Sequence, residues 1–282
     1  MKEPEITKEQ LFVMNQLSIL RNKHRSSYFW KTRLNINDYW NKNPKSIPSG
    51  VREIFFDSFD KINAVFYHLQ KINEQEDLIL QVGSKLRKIT NIESPPGVAG
   101  ITHEPISYEF ELFIMQSSAC LEVFSRAVSI CFKNESGFRE LKKSLINVKK
   151  AKATQIVRCL EKKKYTSLMK EFIKEKGSSG RQNRRDYSVH FGTLNTGTIN
   201  IPIASPQKVI RSYVTELSKN NTSPFGAQDL ISFCKNYFYL LCDLIREILE
   251  ILFSVKLEKG MKTSTLEAFI ATKKSKRSMS KM

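Results

Sequence analysis

The segment from Val51 to Ile89 constrains the fold more than any other part of the chain. Ile54, Phe55, Phe59, Ile62, Phe66 and Leu69 recur at three- and four-residue intervals, the spacing that lines side chains along one face of an α-helix. The same spacing returns after Pro105 in ISYEFELFIMQSSACLEVFSRAVSICF. There Phe110, Phe113, Ala119/Cys120, Phe124, Ala127/Val128 and Cys131 make a stripe wide enough for a bundle core. Leu11, Met14, Leu17 and Leu20 repeat it between Thr7 and Leu34, with Thr7 and Gln10 placed as a capping box. A further apolar helix is expected from Ala227 to Lys256. Glycine (11) and proline (9) are too scarce among 282 residues for a turn-rich all-β chain, and 18 phenylalanines can fill a sizeable core. The expected fold class is all-α, an up-and-down helical bundle.

The breaks in this pattern organise the chain. NINDYWNKNPKSIPSG, residues 35–50, reads as a loop. NIESPPGVAGITHEP holds three prolines and two glycines in fifteen residues and stops helix formation. It separates an N-terminal helical extension (1–95) from a helical bundle (105–256), and a basic tail (257–282) follows that is expected to be disordered. A highly basic helix is expected from Phe138 to Lys176, ended by Gly177 at the usual helix-stop position. Beyond it, Leu194, Ile199, Ile201 and Ile203 alternate around NTG, which predicts a short β-hairpin insertion. Pro202 and Pro206 restrict that hairpin to an edge. The helical pattern resumes near PQKVIRSYVTELSK.

Charge narrows the function. Lysine and arginine total 46 against 28 acids, a net charge of +18, which calls for a polyanionic partner, nucleic acid first. A membrane is not expected as a partner. The longest apolar stretch, YFYLLCDLIREILEILFSV, carries Asp243, Arg246, Glu247 and Glu250 and reads as an amphipathic helix. The opening MKEPEITKEQ lacks the apolar core of a secretory signal. Cys120, Cys131, Cys159, Cys234 and Cys242 are dispersed among apolar neighbours, with no CxxC pair, as in a reduced cytoplasmic protein. No Cys/His cluster has zinc-ligand spacing, and neither a phosphate-binding P-loop nor GxGxxG occurs. No metal and no cofactor are therefore expected. His24 and His103 stand alone, and His68 on AVFYHLQ reads as a core or boundary histidine.

Possible chemistry concentrates in GRQNRRDYSVHFG, residues 180–192. It closes the most basic part of the chain: residues 139–185 hold 16 Lys/Arg and 4 acids. His190 is a residue type that can act near neutral pH as general base or general acid. Arg185 offers a planar fork suited to a phosphate. Asp186 can hold a catalytic side chain in place, and Tyr187 can stack on a base. Arg181, Arg184 and the run Lys162, Lys163 and Lys164 are candidate contacts to a nucleic-acid backbone. Glu109 and Glu111 read as acids of a helix first turn, Glu111 also as a support for the arginine. Tyr165, Phe172 and the run from Tyr237 to Leu241 read as core or interface residues.

Arginine, a polar residue, then histidine after four to six intervening positions resembles the signature of the HEPN family, here Arg185, Asp186 and His190. The resemblance runs from about Pro105 to Lys256. It implies a compact helical bundle and a metal-independent endoribonuclease of the kind found in toxins and phage defence. It further implies a homodimer whose two motifs face each other, with a possible antitoxin or regulatory partner. Under it, Arg185 contacts the scissile phosphate, His190 carries acid–base catalysis and Asp186 takes the family's polar position, more often asparagine. The competing expectation is a non-catalytic nucleic-acid-binding helical module, whose RNA affinity would rest on the basic helix and tail.

Overall fold

The protein is described from a computed structural model that covers residues 28–43, 48, 50–89, 98–101, 104–166, 168, 199–202, 213–214 and 228–257. Six α-helices are found among these residues: α1 (Tyr28–Lys42), α2 (Val51–Ile89), α3 (Glu104–Ile130), α4 (Phe138–Ile146), α5 (Ala151–Leu160) and α6 (Leu230–Phe253). The chain divides into two compact units, one of residues 49–254, the other of 1–48 with 255–282. The fold class is all-α, as the spacing of the apolar residues predicts.

In the larger unit α2 and α3 lie against each other, and the buried positions explain why. Along α2, Val51, Phe55, Ser58, Ile62, Val65, Leu69, Ile72, Glu76 and Ile79 are buried at alternating spacings of four and three. Along α3, Ile106, Phe110, Phe113, Ser117, Cys120, Phe124 and Ala127 repeat the same alternation. Two stripes of period 3.5 pack as in a coiled coil, side chain into gap. The pairing is antiparallel: Phe55 meets Phe124 (ring centroids 5.6 Å), Cys120 Sγ donates to the Ser58 carbonyl (3.4 Å), and His68 Nδ1 lies 2.7 Å from Glu109 Oε2. The proline- and glycine-rich run lies between these two helices.

Helix α6 covers the remaining side of the stripe. Phe253 reaches Phe55 (5.8 Å), Phe238 reaches Phe66 (5.5 Å) and Phe233 reaches Phe110 (5.8 Å). The order of these contacts makes α6 antiparallel to α2 and parallel to α3. Its start is set locally, since the Asp229 carboxylate accepts from the Ser232 N–H at 2.8 Å, the usual helix N-cap bond. Its last turn is followed by Ser254 in a left-handed conformation, φ 53°.

Four expectations need correction. Residues 35–42 are helical rather than loop. Ile36 and Trp40, four apart, are both buried in α1, and this apolar stripe prevails over the asparagines around it until Asn43 closes the helix onto the Tyr39 carbonyl. The basic helix from Phe138 is not continuous: it breaks at Asn147–Lys150 into α4 and α5, and α5 is followed by a 3₁₀ turn, Lys163–Tyr165, with residues 169–176 outside the described residues. Eleven residues separate Leu145 from Ile156, close to three full turns, so local spacing cannot reveal the break. It arises because α4 packs on α3 whereas α5 packs on α6.

The third correction concerns the hairpin after the motif. Among the described residues Ile199–Pro202 pairs antiparallel with Val98–Ile101, not with a neighbour across Asn195–Gly197. A two-stranded hairpin alone is marginal, and four residues pair with whichever segment the helices bring alongside. Pro202 sits at the end of the ladder opposite Val98, where a missing N–H costs least. In the stretch read as resuming helix, Tyr213–Val214 pairs with Gln228–Asp229. The expected helix from Thr7 to residue 27, the rest of 203–227, and the tail from 258 lie outside the described residues.

Helix α4 is held at its start by a residue of another helix. The Phe138 N–H donates to Glu122 Oε2 at 2.8 Å, a carboxylate on an N-terminus that carries partial positive charge. A Cβ on Gly137 would run into that same oxygen. Gly137→Ala is expected to displace Glu122 and cost about 1 kcal/mol, the usual value of a lost helix cap. Chemical denaturation would show it as a lowered midpoint, and an unchanged midpoint would count against the contact.

Candidate functional site

Before the GRQNRRDYSVHFG segment in the chain, Lys162 and Lys164 enter a charged cluster with acids of α6. Helix α5 buries Ala153, Ile156, Cys159 and Leu160, so its apolar stripe sets it on α6 with Lys152 Nζ donating to the Leu252 carbonyl at 2.7 Å. That places an ammonium at the negative end of α6. After Glu161 the chain turns extended at Lys162 and winds into the 3₁₀ turn. The turn buries Tyr165 completely, and Leu168 beyond it is also fully buried. These two side chains hold the exit from α5 against the body of the unit.

Glu247, on α6, organises the cluster. Its Oε2 accepts from Lys162 Nζ at 2.7 Å and from the Cys159 thiol at 3.2 Å, and its Oε1 accepts from Lys164 Nζ at 2.6 Å. Lys164 also lies 3.7 Å from Asp243 Oδ2 and sits 4.6 Å above the Tyr165 ring. On the same helix Arg246 binds Glu250 through both carboxylate oxygens (3.2 Å each) and Asp243 at 3.3 Å. Burial pushes the Glu247 carboxyl up, but the bonds from Lys162, Lys164 and Cys159 outweigh it and bring the group down from 4.5 to about 2. Burial and the Glu247 carboxylate together push the Cys159 thiol up to about 12. It is therefore a neutral donor near pH 7 and not a nucleophile. Burial raises Cys120, Cys131 and Cys242 as well.

Of the nine residues singled out from sequence, the described set contains three. Lys162 and Lys164 spend their charge on Glu247, while Lys163 between them is exposed. Arg181, Arg184, Arg185, Asp186, Tyr187 and His190 lie outside the described residues. The described residues nearest to them in the chain are the buried Tyr165 and Leu168 before and the paired Ile199–Pro202 after. Glu109, read as a first-turn acid, meets His68, while Tyr165 is core as expected. Phe172 is outside the described residues. Sequence reasoning missed Glu247 as a hub. The spacing Asp243–Arg246–Glu250 was legible as helical ion pairs, but no local signal links Glu247 to lysines more than eighty residues earlier.

Other elements of the basic stretch are also internally compensated. Lys142 pairs with Glu161 at 2.9 Å and Lys143 with Glu140 at 3.3 Å, all well exposed, so each contributes little stability. Among the described residues no group of three or more His, Cys, Asp or Glu could hold a metal ion. No described helix is long and apolar enough to cross a membrane. Comparison with known proteins finds no matching family model, no matching curated protein and no matching solved structure.

The Glu247 cluster carries a pH signature. The folded carboxyl lies below its ordinary 4.5, at about 2. Its contribution is therefore complete above about pH 4.5 and is lost as pH falls through about 2. With half-exposed lysine partners (50% and 41%), the contribution is on the order of 1–2 kcal/mol once screened. Glu247→Gln is expected to flatten the acid limb of stability against pH below 4.5 and to lower stability at pH 7. Identical acid limbs for wild type and variant would remove Glu247 from this role.

Proposed function

We propose that the chain is a metal-independent endoribonuclease of HEPN type. The observation that carries the reading is the Arg185, Asp186, His190 spacing at the end of a stretch with 16 basic and 4 acidic residues. The all-α fold supports it. His190 takes the proton of a ribose 2′-OH or gives one to the leaving 5′-oxygen. Arg185 stabilises the phosphorane-like charge with its fork, and Asp186 orients one of the two. Arg181, Arg184 and exposed Lys163 grip the RNA backbone, with Lys162 and Lys164 already partly neutralised by Glu247, and Tyr187 stacks on a base. Two copies bring their motifs together in a homodimer within a helical bundle of up-and-down order. The free thiols fit a reducing cytoplasm, and an antitoxin-like regulator fits a toxic or defensive nuclease.

The test is RNA cleavage in the presence of EDTA with analysis of product ends. Products with 2′,3′-cyclic phosphate, formed by wild type and not by a motif variant, support the reading. Equal cleavage by both places the activity elsewhere. The net charge of +18 favours a second reading, a non-catalytic nucleic-acid-binding module. It predicts RNA binding that weakens steeply with salt, no cleavage, and insensitivity to His190.

A further inference from the structure

Helices α2 and α3 are electrostatically unlike the rest of the chain. Residues 51–89 and 104–130 contain ten of the 28 acids and only seven of the 46 lysines and arginines. That is a net charge of −3 within a chain of +18. The inner stripes of the two helices are used by the core, but their outer faces carry large apolar side chains in water. Tyr108 is 51% exposed, Leu112 44%, Tyr67 52%, Leu78 54% and Val82 47%.

Three of these residues cluster around one contact. His68 and Glu109 join α2 to α3 at 2.7 Å near the outer surface. Tyr67 lies edge-on to His68 with ring centroids 5.3 Å apart. Tyr108 precedes Glu109, and Leu112 lies one turn further along the same exposed side of α3. Lys71, tied to Glu74 at 3.1 Å, holds its ammonium 5.5 Å from the Tyr67 ring centroid. This face therefore already accommodates one cation on an aromatic ring beside carboxylates. Glu53, Asp57 and Glu104 are exposed on the same two helices.

We propose that the outer face of α2 and α3, centred on Tyr67, Tyr108 and Leu112 around the His68–Glu109 contact, docks a lysine- and arginine-rich amphipathic segment of a partner protein. The occupant follows from charge. An anionic polymer or an acidic membrane surface is disfavoured by helices of net −3, whereas a cationic segment gains both the acids and the ring faces. Its apolar side contacts Leu112 and the tyrosines, and its ammonium or guanidinium groups meet Asp57, Glu104 and Glu109. Tyrosines with one apolar and one polar end suit such an interface. The inference stands independently of ribonuclease activity, because it uses none of the motif residues.

The experiment uses the full chain and two synthetic amphipathic helices of about 18 residues, five turns each. One carries lysine on its polar face, the other glutamate, with identical leucine faces. Binding is read by fluorescence anisotropy and located by hydrogen exchange. The lysine peptide is expected to bind with slowed exchange in α2 and α3, and the glutamate peptide to bind at least about tenfold more weakly. Tyr67→Ser/Tyr108→Ser/Leu112→Ser is expected to weaken the lysine peptide about tenfold with an unchanged Tm. All three side chains are exposed, so their loss leaves the core intact. Asp57→Lys/Glu104→Lys is a second variant, expected to weaken binding and reduce its salt dependence. Equal binding of both peptides, unchanged affinity in both variants, or slowed exchange elsewhere would overturn the proposal. So would RNA that footprints on this face, or a dimer of the chain that the triple variant abolishes, since a second copy would then be its occupant.

Discussion

His190→Ala is expected to lower metal-free RNA cleavage by about 10³-fold, the middle of the range for removing a positioned general acid or base. Folding should be untouched, so Tm and RNA affinity at a given salt concentration remain those of wild type. Arg185→Lys separates charge from geometry. A lysine keeps the positive charge but loses the planar fork, and a loss of about 10²-fold in cleavage is expected, comparable to removing one transition-state donor. Arg185→Lys and His190→Ala should also differ in pH dependence. The lysine variant keeps the limb set by His190, whereas the alanine variant loses it. Full cleavage by the His190→Ala protein, with cyclic phosphate ends, would refute the proposed chemistry. Absent cleavage by wild type together with salt-sensitive binding would favour the binding module instead.

Phe55→Ala is expected to have the largest effect on stability, about 3–5 kcal/mol. Phe55 is fully buried on α2 and touches Phe124 of α3 (5.6 Å, interplanar 64°) and Phe253 of α6 (5.8 Å, interplanar 71°). One ring thus joins three helices, and both contacts have the edge-to-face geometry that adds to burial. Truncation would leave a cavity where α2, α3 and α6 meet, and helices this close-packed relax only partly. Urea unfolding should show a lowered midpoint with an unchanged slope. Tyr67→Ala, at an exposed position of the same helix, should change stability by less than about 0.5 kcal/mol. A Phe55→Ala loss as small as that would show that the three helices do not share this core.

The helices themselves were legible because their cause is local. The repeat through Phe55, Phe59 and Ile62 gives α2 its face regardless of what lies opposite, and the same holds for α3 and α6. Residues 35–42 were misread because the sequence was weighed by its asparagines, while the buried pair Ile36 and Trp40 decided the outcome. The candidate chemistry of Arg185 and His190 was likewise a local reading, of residue types at a given spacing and of a basic neighbourhood.

The amino-acid sequence by itself determined the all-α class, the phase of each long helix, the segregation of acids onto α2 and α3, and the concentration of basic residues before the motif. Tertiary structure alone decided which surfaces met. It set Glu247 under Lys162 and Lys164, joined His68 to Glu109, turned the chain between α4 and α5, and paired Ile199–Pro202 with Val98–Ile101. The physical reason is range. Helical phase depends on neighbours three or four positions away. The choice of a distant partner depends on the packing of the whole core, which brings together residues with no common local pattern.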